Sequence, residues 1–226
     1  MKLYSLFISI IFFNLNFTND KLPQGFVYLN DIAPDIKLDL RYFSTNNFVG
    51  ESIDGYLEKK CIISTEAAKA LVKVQHDLGA LGYGLKVFDT YRPQQAVDHF
   101  VRWAEDIKDI KMKHIYYPDI EKRYLFQQGY ISAKSGHTRG STVDLTIIYT
   151  ERERKDNELD MGTPWDFFSP KSWPSSDEVT DLQKSNRMLL QKVMMKHGFQ
   201  PIKEEWWHFT LKEEPFPDTY FNFPVE

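Results

Sequence analysis

Two stretches of this 226-residue chain carry side chains suited to chemistry at a metal ion. The first runs Ser135-Gly136-His137-Thr138-Arg139-Gly140-Ser141-Thr142-Val143-Asp144, the second Glu204-Glu205-Trp206-Trp207-His208-Phe209. Zn²⁺ binds imidazole nitrogen and carboxylate oxygen, and a catalytic site uses three protein ligands so that a fourth position stays open to water. His137, Asp144 and His208 supply that set. Glu205 is then the neighbouring carboxylate that can take a proton from the attacking water. Either stretch alone is a weak signal, because a His and an Asp seven apart recur by chance. The pairing is stronger. Asp144 lies in an apolar run, where an unpaired carboxylate is costly to bury. His208 is flanked by Trp206, Trp207 and Phe209, a setting that excludes water. Residues three apart in a regular strand point to opposite faces. Glu205 and His208 therefore converge only if Glu205 lies in the turn before the strand or in a bulge. Glu204, displaced by one residue, is the rival base.

The elements that must hold these residues are readable from periodicity. Ile36 to Leu40 alternates as a strand does. Ser64 caps a helix whose apolar positions are Ala67, Leu71, Val74, Leu78 and Leu81, and Gly82 and Gly84 end it. Leu85 to Phe88 is a short strand. Pro93 opens the first turn of a second helix carrying Ala96, Val97, Phe100, Val101, Ala104 and Ile107. Ser141 to Tyr149 reads as a buried strand. A polar loop from Glu151 to Ser176 is long enough for a binding or lid role, or for plain surface covering. Val179 to His197 forms a third helix with Leu182, Leu189, Leu190, Val193 and Met194 on its apolar side, stopped by Gly198. Trp206 to Leu211 is the last strand. Helices and strands mix without regular alternation, so the fold class is α+β: one domain, a mixed or antiparallel sheet packed with helices. His76, His99, His114 and His197 read as surface or structural residues, and Cys61, in an apolar run, as a buried inert thiol.

The same residues carry a resemblance. The chain resembles the D-alanyl-D-alanine dipeptidases of the VanX type, within the larger family of zinc DD-peptidases that also includes Hedgehog-like domains. That family's first motif, Ser-x-His-x-x-Gly-x-Ala-x-Asp, is met by Ser135, His137, Gly140 and Asp144, with Thr142 where a small Ala is usual. Its second, Glu-x-x-His, is met by Glu205 and His208. Further similarity lies in Asp89-Thr90-Tyr91-Arg92-Pro93, in Thr45-Asn46-Asn47-Phe48 followed by Asp54-Gly55-Tyr56, in Met161-Gly162-Thr163-Pro164-Trp165-Asp166, and from Pro215 to Pro224. The resemblance implies one Zn²⁺ per chain on His137, Asp144 and His208, and Glu205 as general base. It implies that Arg92 steadies the oxyanion of the tetrahedral intermediate. Ser135 and Asp166 match positions near the substrate's ammonium end. The expected activity is hydrolysis of the dipeptide D-alanyl-D-alanine to D-alanine. The alternatives are a DD-carboxypeptidase or endopeptidase acting on longer peptidoglycan peptides, a non-catalytic zinc-binding module of the same fold, and a metal-free structural domain.

Bulk properties bound the remaining classes. The chain is 42% hydrophobic and 15% aromatic, as folded domains are, with a net charge of -4 and no basic block that would suit nucleic acid. Lys2 and the apolar stretch Leu3 to Phe13 read as a signal peptide over residues 1–20, too short to span a bilayer, although no small-residue cleavage triplet follows. Export to the periplasm or medium is the expectation, with an uncleaved anchor as the other outcome and residues 21–226 as the working domain.

Overall fold

The computed structural model describes residues 22–226 except 152 and 154–156, so the expected leader lies outside the described residues. The chain enters through β1 (Phe26–Tyr28), the one-turn helix α1 (Leu29–Ile32) and β2 (Lys37–Leu38). β3 (Ile62–Ser64) pairs antiparallel with β1 in a separate two-stranded sheet. Ser64 then caps α2 (Thr65–Gly79) as its sequence predicts, the hydroxyl accepting from the Ala67 amide. β4 (Tyr83–Asp89), α3 (Gln94–Glu105), the short α4 (Lys113–Tyr116), β5 (Thr142–Tyr149), α5 (Asp181–Lys196), β6 (Phe199–Pro201) and β7 (His208–Leu211) follow.

The main sheet has the order β2-β4-β5-β7-β6. Only β2 and β4 run parallel; the other pairs are antiparallel. This is the α+β fold with a mixed sheet that the pattern predicts. β5 is central and buried from Thr142 to Ile148, which is why it reads as a nearly continuous apolar run instead of an alternating one. Ala67, Leu71, Val74 and Leu78 bury one face of α2, which packs on β4 and α5.

Several boundaries differ from expectation. The strand over 36–40 shrinks to Lys37–Leu38, although the Asp39 amide still donates to Val87 O. Gly84 lies inside β4 and does not end α2: a Cβ there would come within 3.2 Å of Thr150 Cγ2 and 3.3 Å of Gln75 Nε2, so the close approach of these side chains favours glycine. Pro93 is the cap before α3, one position ahead of its first turn. Leu81, Ile107 and Leu182, assigned to apolar stripes, are 61%, 54% and 67% exposed. Leu81 and Ile107 lie past the ends of their helices, and Leu182 lies in the first turn of α5. Thr180, not Val179, starts α5, through a reciprocal cap with Gln183.

The stretch from Glu151 to Ser176 is less polar in space than in sequence, since Leu159, Met161, Trp165 and Phe168 are buried. Arg187 of α5, itself 2% exposed, fastens it. Its Nε donates to Met161 O at 2.7 Å and its Nη1 to Trp173 O at 2.8 Å, so one guanidinium ties down both flanks of the segment carrying Trp165 and Asp166. His76 and His114 are exposed, His99 Nδ1 lies 3.3 Å from Asp54, and His197 Nε2 bonds Asp77 at 2.7 Å, all as surface or structural roles require. Cys61 is buried, and burial pushes its thiol up to about 12, so it stays protonated and inert.

Candidate active site

The sheet register brings the distant motifs together. Asp144 of β5 pairs directly with His208 at the start of β7, and Asp89 at the end of β4 pairs with Asp144 on the other side. His137 stands just ahead of β5 on a 3₁₀ turn, Gly136–Arg139. The Ser135 hydroxyl caps that turn, accepting from the His137 amide, and Gly140 closes it at φ 85°. Only glycine suits Gly140, because a Cβ would also run into the Phe26 ring.

Three lone-pair donors result. His137 Nε2 lies 3.2 Å from Asp144 Oδ1, His208 Nδ1 lies 3.1 Å from the same oxygen, and the two nitrogens are 3.3 Å apart. Donors set tetrahedrally at about 2.0–2.1 Å from one zinc ion stand roughly 3.3 Å from each other. The triangle therefore matches the edge of such a site. The tautomer of His137 is fixed as well. Its Nδ1 lies 2.7 Å from Thr90 O, a group that only accepts, so the proton sits on Nδ1 and Nε2 faces the triangle with its lone pair. Burial holds the His137 imidazole below its ordinary pKa, which keeps it neutral. Asp144 Oδ2 accepts from Trp165 Nε1 at 3.3 Å, whereas Oδ1 is buried with no hydrogen-bond donor. A buried carboxylate oxygen left in this state is what a cation would satisfy. Among the described residues, His137, Asp144 and His208 form the group of His, Cys, Asp or Glu side chains able to hold a metal. The residues fit the ion.

Around the triangle the site is rich in buried acid. Glu205 lies outside the strand, just ahead of the turn at Trp206 and Trp207 that leads into β7, and its Oε2 is 3.5 Å from His208 Nδ1. Burial pushes its carboxyl up to about 7, a value suited to a base working near neutrality. Asp166 is buried at a positive φ of 60° and accepts from Tyr42 OH at 2.8 Å. Burial, then the charge of Asp144, raises its carboxyl well above the usual range. Arg92 leaves β4 just ahead of α3 and bonds Asp89 Oδ2 through Nε at 3.0 Å and Nη2 at 2.9 Å, with Asp144 Oδ2 at 3.7 Å. Its amide donates to His137 O, which couples the arginine to the ligand turn. Arg92, Ser135, His137, Asp144, Asp166, Glu205 and His208 all line one cavity of about 200 Å³. That is smaller than the roughly 300–1,000 Å³ of sites for drug-sized ligands. The structure thus gathers the seven residues expected at the site and leaves the rival Glu204 out of the cavity wall.

It also adds residues that pattern reading missed. Asp89 anchors Arg92, takes a 2.7 Å bond from Tyr56 OH and lies 3.5 Å from His137 Nδ1. Trp165 orients Asp144, and Tyr42 holds Asp166. Asp89 and Trp165 fall inside stretches that carry the family resemblance; Tyr42 has no sequence signal of its own.

Thr142, in place of the usual small residue, is accommodated by its neighbour. Its hydroxyl pairs with Thr210 Oγ1 at 2.9 Å, and a Cβ on residue 136 would stand 2.7 Å from Thr142 Oγ1. Gly136 and Thr142 are therefore coupled. Gly136→Ala is expected to destabilise the protein by about 1–3 kcal/mol, and by clearly less in a Thr142→Ala background. Denaturant unfolding of the four proteins in the cycle measures this; additive effects would disprove the coupling.

A metallopeptidase is the class of protein that this fold and this site define. Comparison with known proteins then narrows the class. Residues 23–226 match the Peptidase_M15 family model, described as D-ala-D-ala dipeptidase. The chain is 39% identical over 204 residues to a D-alanyl-D-alanine dipeptidase of Enterococcus faecalis (strain ATCC 700802 / V583), spanning 90% of this chain and 100% of the relative. It is 39% identical over 205 residues to the protein of that name from Streptomyces coelicolor (strain ATCC BAA-471 / A3(2) / M145), again over 90% and 100%. Against the Enterococcus faecium protein of that name it is 35% identical over 202 residues, covering 89% and 98%. The chain belongs to the D-ala-D-ala dipeptidase family.

Proposed function

We propose that this protein is a zinc dipeptidase that hydrolyses D-alanyl-D-alanine, with one ion per chain on His137 Nε2, Asp144 Oδ1 and His208 Nδ1. The observation that carries the reading is the convergence of those three atoms within 3.1–3.3 Å beside a raised carboxyl, in a chain of this family. Bound there, zinc supplies Lewis acidity, polarising the scissile carbonyl and making water a better nucleophile near neutral pH. Glu205 accepts the proton of the attacking water and returns it to the leaving amine. Arg92, locked by Asp89, presents fixed donors toward the developing oxyanion, with little reorganisation left for the reaction itself. Asp166, braced by Tyr42, and Ser135 face the substrate's ammonium end. A cavity this small favours a dipeptide over a longer chain.

The direct test assays zinc-loaded protein on D-Ala-D-Ala, L-Ala-L-Ala and a longer peptide ending in D-Ala-D-Ala, with metal content measured alongside. The expected result is one zinc per chain and a preference for the D,D-dipeptide on the order of a hundredfold. Absence of stoichiometric metal, or faster cleavage of the longer peptide, would sink the proposal. We also propose export, on the strength of the apolar stretch Leu3 to Phe13 after Lys2, with residues 21–226 as the working domain. Fractionation of cells producing the full chain tests it. No helix among the described residues is long and apolar enough to cross a membrane.

A further inference from the structure

The cavity wall holds three acidic side chains, those of Asp144, Asp166 and Glu205, and two of the Arg or Lys type, Arg92 and Lys134. Arg92 is already engaged, bonded twice to Asp89 and close to Asp144. Lys134 is not: among the described residues no carboxylate lies within ion-pair distance of it, and it is exposed at the rim. Its ammonium rests 5.2 Å from the centre of the Tyr220 ring, a contact that holds a cation in place without neutralising it. Its backbone is held in turn, since Gln94 Nε2 donates to Ala133 O at 3.2 Å.

A free dipeptide brings two charges to this cavity. Its ammonium finds acid in abundance. Its carboxylate finds Arg92 already taken by Asp89 and Asp144, and Lys134 as the cavity-lining Lys or Arg not so engaged, in a partly dehydrated space where an ion pair is weakly screened. We propose that Lys134 is a specificity-determining residue: its ammonium pairs with the free C-terminal carboxylate of the substrate and restricts the enzyme to peptides that end there. A lysine suits this task, because a flexible stem lets the charge follow a carboxylate in and release the product. The inference rests on the dipeptidase reading.

The test compares zinc-loaded wild type, Lys134→Met and Lys134→Arg on D-Ala-D-Ala and on the same dipeptide with its C-terminus amidated. Wild type is expected to favour the free acid in kcat/KM by roughly tenfold or more, the scale of one charge-assisted hydrogen bond. In Lys134→Met the preference collapses to about twofold or less, through a higher KM for the acid, while cleavage of the amide is unchanged. Lys134→Arg retains most of the preference. The side chain is exposed, so the variants fold as wild type does. An unchanged acid-to-amide ratio in Lys134→Met, or an equal fall on both substrates, overturns the role of Lys134 and leaves the dipeptidase reading standing. Failure of the wild type to cleave either substrate strikes the dipeptidase reading and takes this inference with it.

Discussion

Glu205→Gln is expected to bind zinc normally, fold normally and lose turnover on D-Ala-D-Ala by roughly 10²–10⁴-fold, the usual worth of a positioned general base. That span corresponds to about 3–5 kcal/mol of barrier. Glutamine keeps the shape of the side chain and removes its basicity. Metal retention follows from geometry, because the triangle of His137, Asp144 and His208 is closed without Glu205. The carboxyl sits 3.5 Å from His208 Nδ1 and lines the cavity, and burial has already raised its pKa to about 7. Glu204 provides the control. It is adjacent in sequence yet absent from the cavity wall, so Glu204→Gln should keep activity within about twofold of wild type. Steady-state kinetics with parallel zinc analysis decides the matter. Substantial activity in Glu205→Gln together with loss in Glu204→Gln would reverse the assignment.

Asp144→Asn is expected to have the second large effect, on metal and stability together. Asp144 supplies the anionic ligand, and its Oδ1 has no other hydrogen-bond partner. An amide oxygen in its place carries no charge, and the two imidazoles alone hold zinc far more weakly. A ligand present at a thousandfold excess over its Kd stabilises the folded state by about 4 kcal/mol. In a domain of this size each 1 kcal/mol moves Tm by about 2–4 °C. Chelation should therefore lower the Tm of the wild type by roughly 10 °C and leave that of Asp144→Asn almost unmoved, with activity lost in both apo wild type and variant. Thermal unfolding with and without chelator makes the comparison. A wild-type Tm indifferent to chelation, or a full zinc equivalent in Asp144→Asn, contradicts the ligand assignment.

These predictions follow from a site whose support is as telling as its centre. Two buried aspartates, Asp89 and Asp144, stand opposite each other on adjacent strands, an arrangement that like charges resist. Arg92 answers one of them, and the converging donors create a place for a cation beside the other. Arg187 acts at greater distance, fastening the segment that carries Trp165 to Asp144 and Asp166 to Tyr42. The positive φ of Asp166 shows that this segment is held against its backbone preference, which such fastening makes tolerable.

The ligand types, the capped helix after Ser64, the buried central strand and the family motifs are local or nearly local properties, and the sequence alone determined them. Periodicity reports which face an element buries, and side-chain chemistry reports what an atom can bind. Even the place of Glu205 outside the regular strand was partly accessible, because convergence with His208 required either a turn before the strand or a bulge. Only the tertiary structure decided which atoms meet. Cross-strand register sets Asp144 against His208, a backbone carbonyl from Thr90 selects Nε2 of His137, and the cavity admits Glu205 while leaving out Glu204. Tyr42, Asp89 and Lys134 acquire their places only there. Their roles come from contacts between segments far apart in the chain, fixed by packing and hydrogen bonding throughout the domain, and no window along the sequence contains that information.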